Sequence, residues 1–193
     1  MIKKQILLTS LAALLGATTV MAATRTWDGG TGGTGTEIGT AANWSGDTLP
    51  SVNGDVAQWD GTVAGNLVLT HGTANFAGSS GNTGVSLNLT ATQTGSLSID
   101  SGANTSGIRL NNITIASGAG AFTFGNGAGT FNLTIGGAAG TRTYQNDSAN
   151  TATLASDLTL NTGSAGIQTF AFAGTGNWTV NCNLAGGNRK SVV

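Results

Sequence analysis

Between Leu67 and Leu184 apolar and polar residues alternate in short runs, and a period of two is the signature of a β-strand with one face turned inward. The runs are Leu67 and Leu69; Val85, Leu87 and Leu89; Leu97 and Ile99; Ile108 and Leu110; Ile113 and Ile115; Phe122 and Phe124; and Phe131, Leu133 and Ile135. They continue with Leu158 and Leu160, Phe170 and Phe172, and Trp178, Val180, Cys182 and Leu184. Most positions between them are Ser, Thr or Asn, among them Ser86, Asn88, Ser98, Thr114, Thr123, Thr159 and Thr179. One face is therefore apolar and the other mostly polar and uncharged. Successive runs begin about 8 to 12 residues apart, too close for an ordinary helix between them, which excludes a doubly wound α/β fold.

Two all-β architectures remain: a parallel β-solenoid, and an antiparallel β-sandwich as the alternative. The solenoid is favoured. Charge is nearly absent from the strands, Gly-bearing turns recur, and Asn or Thr recurs on the outer face, where stacked coils form side-chain ladders. Sandwiches rely more on charged cross-strand pairs and on Pro at edges. At about 20 to 25 residues per coil the chain is expected to make roughly six or seven coils, a stack about 30 Å long. The run from Gly186 to Val193 supplies no helix or charged strand to cover the last coil. The chain is accordingly read as a truncated solenoid, open at its C-terminal end and prone to self-association there.

Lys3 and Lys4 precede an uncharged, mostly apolar stretch from Ile6 to Val20, and Met21-Ala22 offers a cleavage site. This is the form of a secretory signal peptide, so residues 1–22 are expected to be removed after Ala22 and the mature chain to be extracellular or at the cell surface. The mature chain has no further apolar run of membrane-spanning length. It retains Arg25, Arg109, Arg142, Arg189 and Lys190 against eight acids, with no basic cluster, which argues against a nucleic-acid partner. The 32 Gly and single Pro in the sequence, with only 8% charged residues, suit neither a helical domain nor an ordinary disordered chain. Cys182 is the sole cysteine, so an intrachain disulfide is impossible; its alternation with Trp178, Val180 and Leu184 predicts a buried thiol on one strand face.

Residues 23–65 differ in texture from 66–193, holding three of the four Trp, the only Pro and five acids, and they read as an N-terminal cap to the solenoid coils. Gly30-Thr31-Gly32-Gly33-Thr34-Gly35 has dinucleotide-loop spacing but lacks the preceding strand and following helix that motif needs. Asp28 and Glu37 flank the same loop without the nine-residue repetition of a calcium-binding turn. His71, at a strand end, is expected to be solvated. Asp100, Asp147 and Asp157 are separated along the chain, and Arg109 and Arg142 are expected to be surface ions. No catalytic, cofactor or metal-binding residues are nominated.

The segments Thr26-Trp27-Asp28-Gly29-Gly30, Ala41-Ala42-Asn43-Trp44-Ser45-Gly46-Asp47-Thr48-Leu49-Pro50 and Asp55-Val56-Ala57-Gln58-Trp59-Asp60-Gly61 resemble the mature N-terminus of autotransporter-associated β-strand repeat proteins, large exported bacterial proteins. Gly65 to Thr70, Gly176 to Val180 and Arg189 to Val193 also look like that family. The defining Gly-Thr-Leu repeat itself is absent, as is any C-terminal barrel or sorting signal. The resemblance implies a right-handed parallel β-helix with a structural or adhesive role, surface glycans or other cells as partners, outer-membrane association where an anchor exists, and no catalytic residues. Two other functions compete: a solenoid polysaccharide lyase or hydrolase, and a polysaccharide-binding module with Trp27, Trp44 or Trp59 as stacking platforms.

Overall fold

The computed structural model describes residues 22–50, 54–72, 84–100, 108–125, 131–135, 140–162, 168–185 and 190–192. The expected leader, apart from Ala22, lies outside the described residues, as do Gly186 to Arg189 and Val193. The strands are β1 (Thr24–Thr26), β2 (Val56–Trp59), β3 (Leu67–Thr70), β4 (Val85–Leu89), β5 (Leu97–Asp100), β6 (Ile108–Ile115), β7 (Phe122–Phe124) and β8 (Phe131–Ile135). They continue with β9 (Gly140–Asn146), β10 (Ala152–Leu154), β11 (Leu158–Thr162), β12 (Gln168–Ala173), β13 (Trp178–Val180), β14 (Asn183–Ala185) and β15 (Lys190–Val192).

Every pairing between these strands is parallel, which excludes the antiparallel sandwich. Strands far apart in sequence lie side by side. One ladder runs β1, β2, β4, β6, β9, β12, β15; a second runs β3, β5, β7, β10, β13; a third runs β6, β8, β11, β14. From β5 onward each circuit visits the three ladders in turn, and the protein is a β-solenoid of about four turns.

The coils are longer and fewer than the spacing of runs suggests. Thr24 lies opposite Val56 at one end, and Gln168 opposite Lys190 at the other, so a coil takes about 22 to 32 residues. Three strands and their turns make one coil, and the turns differ in length.

In-register stacking turns the alternation of the sequence into continuous apolar columns. In the second ladder Leu67, Leu97, Phe122, Ala152 and Trp178 stand one above another, beside Leu69, Ile99, Phe124, Leu154 and Val180. In the first ladder Ala57, Leu87, Ile113, Tyr144 and Phe172 form one column, and Trp59, Leu89, Ile115 and Asn146 another. Nearly all of these side chains are buried, and each aliphatic or aromatic one removed from water contributes about 1.5 to 3 kcal/mol.

Corners are made where the alternation slips. The pairs Ile108/Leu110 and Ile113/Ile115 belong to one strand, β6, whose first residues join the third ladder and whose last join the first. Leu110 already pairs with Val85 of the first ladder, and Asn111 and Asn112, two polar residues in succession, lie just beyond it where the register against β4 shifts. Another corner is built from stacked glycines: a Cβ on Gly95 would lie 1.8 Å from the Gly65 carbonyl oxygen, and one on Gly120 would lie 2.2 Å from that of Gly95. No side chain fits between these backbones.

Candidate functional site

The N-terminal end is the most elaborately built part of the molecule. Trp27, Trp44 and Trp59 are each at most 1% exposed and pack on one another, with Trp44 edge-on to Trp27 at 5.2 Å and to Trp59 at 5.3 Å. Trp44 Nε1 donates to the Ile38 carbonyl at 2.8 Å, and Asn43 Nδ2 donates to that of Glu37 at 2.9 Å. These bonds pin the segment Thr36 to Gly39 alongside β3. The Ile38 and Gly39 amides donate to the carbonyls of Thr70 and His71, and the Thr70 amide donates to that of Thr36. The free edge of the second ladder is thereby covered. At β1 the Ser45 amide donates to the Thr26 carbonyl and the Thr26 amide to Ser45 Oγ. The tryptophans form a hydrophobic cap, and none offers an exposed ring face for a sugar.

His71 lies beneath this cap and is fully buried, not solvated as its strand-end position suggests. Loss of water around the imidazole disfavours the cation and pushes its pKa down to about 4. The covering segment comes from some thirty residues upstream, a contact the local sequence does not signal. Between Asp28 and Glu37 the glycine-rich loop makes a short 3₁₀ turn, Thr31–Gly33, and enters no helix, so the dinucleotide spacing is coincidental. Asp28 Oδ1 accepts from the Gly30 amide at 2.9 Å, and Glu37 Oε2 accepts from Thr40 Oγ1 at 3.3 Å. Both carboxylates are thus used in local turns. Among the described residues no three His, Cys, Asp or Glu side chains gather as a metal site would require.

The other acids stand at corners. Asp147 follows β9, where it accepts from Gln145 Nε2 and from the Thr175 amide on the next coil. Asp157, buried, precedes β11 at a different corner, with Oδ1 against Gly125. Asp100 ends β5 two coils below it, and its carbonyl accepts from the His71 amide.

Arg142 is 8% exposed and therefore not a surface ion. On β9 the buried positions are Arg142, Tyr144 and Asn146, so Arg142 shares the inward face and stacks in register on Phe170. A long aliphatic stem lets Arg occupy such a position. Tyr144, fully buried, packs on Phe170, Phe172 and Trp178 at ring distances of 5.7 to 6.1 Å. Burial pushes its hydroxyl well above the usual tyrosine range; Cys182 adds to this and Arg142 opposes it. Asn146, also inward, is satisfied: Nδ2 donates to the carbonyls of Asn150 and Asn177, and Oδ1 accepts from the Ser148 amide. These inward polar residues escape a reading based on apolar periodicity alone.

Cys182 lies neither on one strand with Trp178 and Val180 nor fully inside. The run expected to be a single strand is split between β13 and β14, in different ladders, with Cys182 at the turn between them and half-buried. Burial raises its thiol pKa, which disfavours the reactive thiolate. Val180, 43% exposed, ends a column whose other members are at most 2% exposed.

Outside, the ladders present mostly polar side chains in register, with Val68 the apolar exception. Thr26, Gln58, Asn88, Thr114 and Gln145 form one line, in which Asn88 Nδ2 donates to Gln58 Oε1 at 3.0 Å. Val68, Ser98, Thr123, Thr153 and Thr179 form another. Comparison with protein-family models, with curated proteins and with solved structures found no match.

Proposed function

We propose that the chain is a non-catalytic structural or adhesive solenoid segment, exported and displayed at a bacterial surface in the manner of autotransporter-associated repeat proteins. The observation that carries this reading is the pair of outer polar columns, Thr26 to Gln145 and Ser98 to Thr179, repeated coil after coil. A stack of this kind offers an extended contact surface in which each coil adds a further small increment of hydrogen bonding. The tryptophan-bearing segment covers the edges of β1 and β3, in the manner of a solenoid cap. Glycans and cell surfaces are the partners this polar, uncharged exterior suits. Burial of Trp27, Trp44 and Trp59 removes the motive for a sugar-stacking module at that end.

Beads carrying the purified protein should be retained on bacterial or host-cell layers above a level set by beads carrying an unrelated protein. A polysaccharide panel incubated with the same protein should show no release of reducing ends or unsaturated sugars. Cleavage that disappears on Asp157→Asn or Asp100→Asn would replace this reading with the lyase or hydrolase one. Export is tested separately by fusing residues 1–22 to a reporter active only outside the cytoplasm, with cleavage expected after Ala22.

A further inference from the structure

The residue that would come first after a cut behind Ala22 already has a buried partner. Asp55 is 3% exposed, and its Oδ1 accepts from the Ala23 nitrogen at 2.8 Å across 32 residues of sequence. The following residue completes the grip, the Val56 amide donating to the Ala23 carbonyl at 2.9 Å. Asp55 and Val56 thus hold Ala23 at both its backbone groups, just ahead of β1. A backbone carbonyl is the usual acceptor at such a place in a parallel ladder. Here Gly54 turns aside at φ +85° and donates its own amide to the Gly84 carbonyl, and a carboxylate takes that role. Two neighbouring acids are spent locally: Asp28 accepts from the Gly30 amide, and Asp60 from the Thr62 amide and hydroxyl. Asp55 instead reaches back to the start of the expected mature chain. A carboxylate taken out of water is costly unless it is paired, and a cation is the strongest partner it can have.

We propose that Asp55 is the receptor for the α-ammonium group that leader removal creates at Ala23, so that processing itself tightens the first coil. The inference rests on the export reading, in which a leader peptidase cuts after Ala22. That cut adds one water across the Ala22–Ala23 amide. The C–N bond breaks, the water oxygen stays on the Ala22 carbonyl carbon, which leaves as a carboxylate, and the Ala23 nitrogen takes up both water protons to become an ammonium. The nitrogen keeps its place against Asp55 Oδ1, and a neutral hydrogen bond becomes a charge-assisted one, roughly twice as strong. Ala22 is exposed and Ala23 half-buried, so the cut falls where the chain enters the fold. Ala23 is engaged at both backbone groups once β1 has docked; the cut therefore precedes docking, and the coil closes on a terminus already charged. An uncut chain offers only the amide, and its first coil is the weaker for it.

Two purified forms of the chain separate ammonium from amide: one that begins at Ala23, released from a fusion by a protease that leaves no added residue, and one that keeps Met21 and Ala22. In urea unfolding followed by circular dichroism, the form beginning at Ala23 should have an unfolding constant roughly tenfold smaller, the step from a neutral to a charged hydrogen bond. Asp55→Asn keeps an acceptor oxygen but removes the charge, and should abolish the difference between the two forms. Strain from the added residues would survive that substitution, whereas a charge effect would not. Should Asp55→Asn fail to fold, Nα-acetylation of the form beginning at Ala23 restores the amide and should give the same roughly tenfold loss. Equal stability of the two native forms, an undiminished difference in Asp55→Asn, or no loss on acetylation would overturn the proposal. Mass spectrometry of the full-length chain after export from a bacterial host should give Ala23 as the first residue. A different first residue overturns the proposal at its premise, whereas equal stability overturns it and leaves the export reading standing.

Discussion

Replacing Trp44 by Ala removes the centre of the cap, and the structure fixes the size of the loss. The ring is fully buried, meets Trp27 and Trp59 edge-on at 5.2 and 5.3 Å, and donates through Nε1 to the Ile38 carbonyl at 2.8 Å. Truncating a buried Trp to Ala costs about 3 to 5 kcal/mol, and the hydrogen bond contributes about 1 kcal/mol more. A total near 4 to 6 kcal/mol is a large part of the stability of an ordinary domain, about 5 to 15 kcal/mol. Trp44→Phe separates the two parts. It keeps most of the apolar ring but removes the donor, and should cost about 1 to 3 kcal/mol, chiefly through the desolvated Ile38 carbonyl. Urea unfolding followed by far-ultraviolet circular dichroism measures both, and hydrogen exchange should place the loss at Leu67–Thr70, the strand the cap covers. If Trp44→Ala unfolds within about 1 kcal/mol of the native protein, the cap is no part of the cooperative structure and the reasoning fails.

The apolar columns predict that Leu154→Ala, at a sealed position, costs about 2 to 5 kcal/mol, whereas Val180→Ala, at a position 43% exposed, costs under about 1 kcal/mol; equal losses in urea titrations would contradict the columns. His71 is held neutral, with its pKa lowered from 6.5 to about 4, so its contribution is complete above pH 6.5 and is lost as pH falls towards 4. Denaturant midpoints across that window should therefore fall less steeply for His71→Phe than for the native chain, and parallel curves would refute the burial of this group. Gly95→Ala puts a Cβ 1.8 Å from the Gly65 oxygen and should prevent native stacking or cost several kcal/mol. Gly32→Ala, at φ +78° with open space around it, should cost only about 1 to 2 kcal/mol, from the left-handed backbone alone.

The strands were legible because stacking preserves the alternation: Leu97/Ile99, Phe122/Phe124 and Leu158/Leu160 occur as read. Even the register shift in β6 leaves a trace in Asn111-Asn112. Alternation reports which face a residue takes but not which ladder a strand joins. The spacing of runs therefore understates coil length, and the alternation continues from Trp178 to Leu184 although the chain turns at Cys182 between β13 and β14. Position along a strand likewise says nothing of what a distant segment lays over it, which is how His71 comes to be buried. Arg142 was obscured for a different reason: its charge argues for the surface, while its register with Tyr144 and Asn146 carries it inward. In the proposed contact surface the uncharged outer residues were visible from the start, but their alignment into columns depends on registers that only the folded chain supplies.

Backbone contacts across the second ladder test the parallel stack most directly. Nuclear Overhauser effects between amide and α protons should link Phe122 with Ala152, Thr123 with Thr153 and Phe124 with Leu154, partners separated by the same number of residues throughout. Antiparallel pairing would instead give partners whose positions move in opposite directions, with neighbouring runs such as Leu97–Asp100 and Ile108–Ile115 joined as hairpins. Contacts of the first kind are expected in all three ladders, and a set of the second kind would contradict the solenoid.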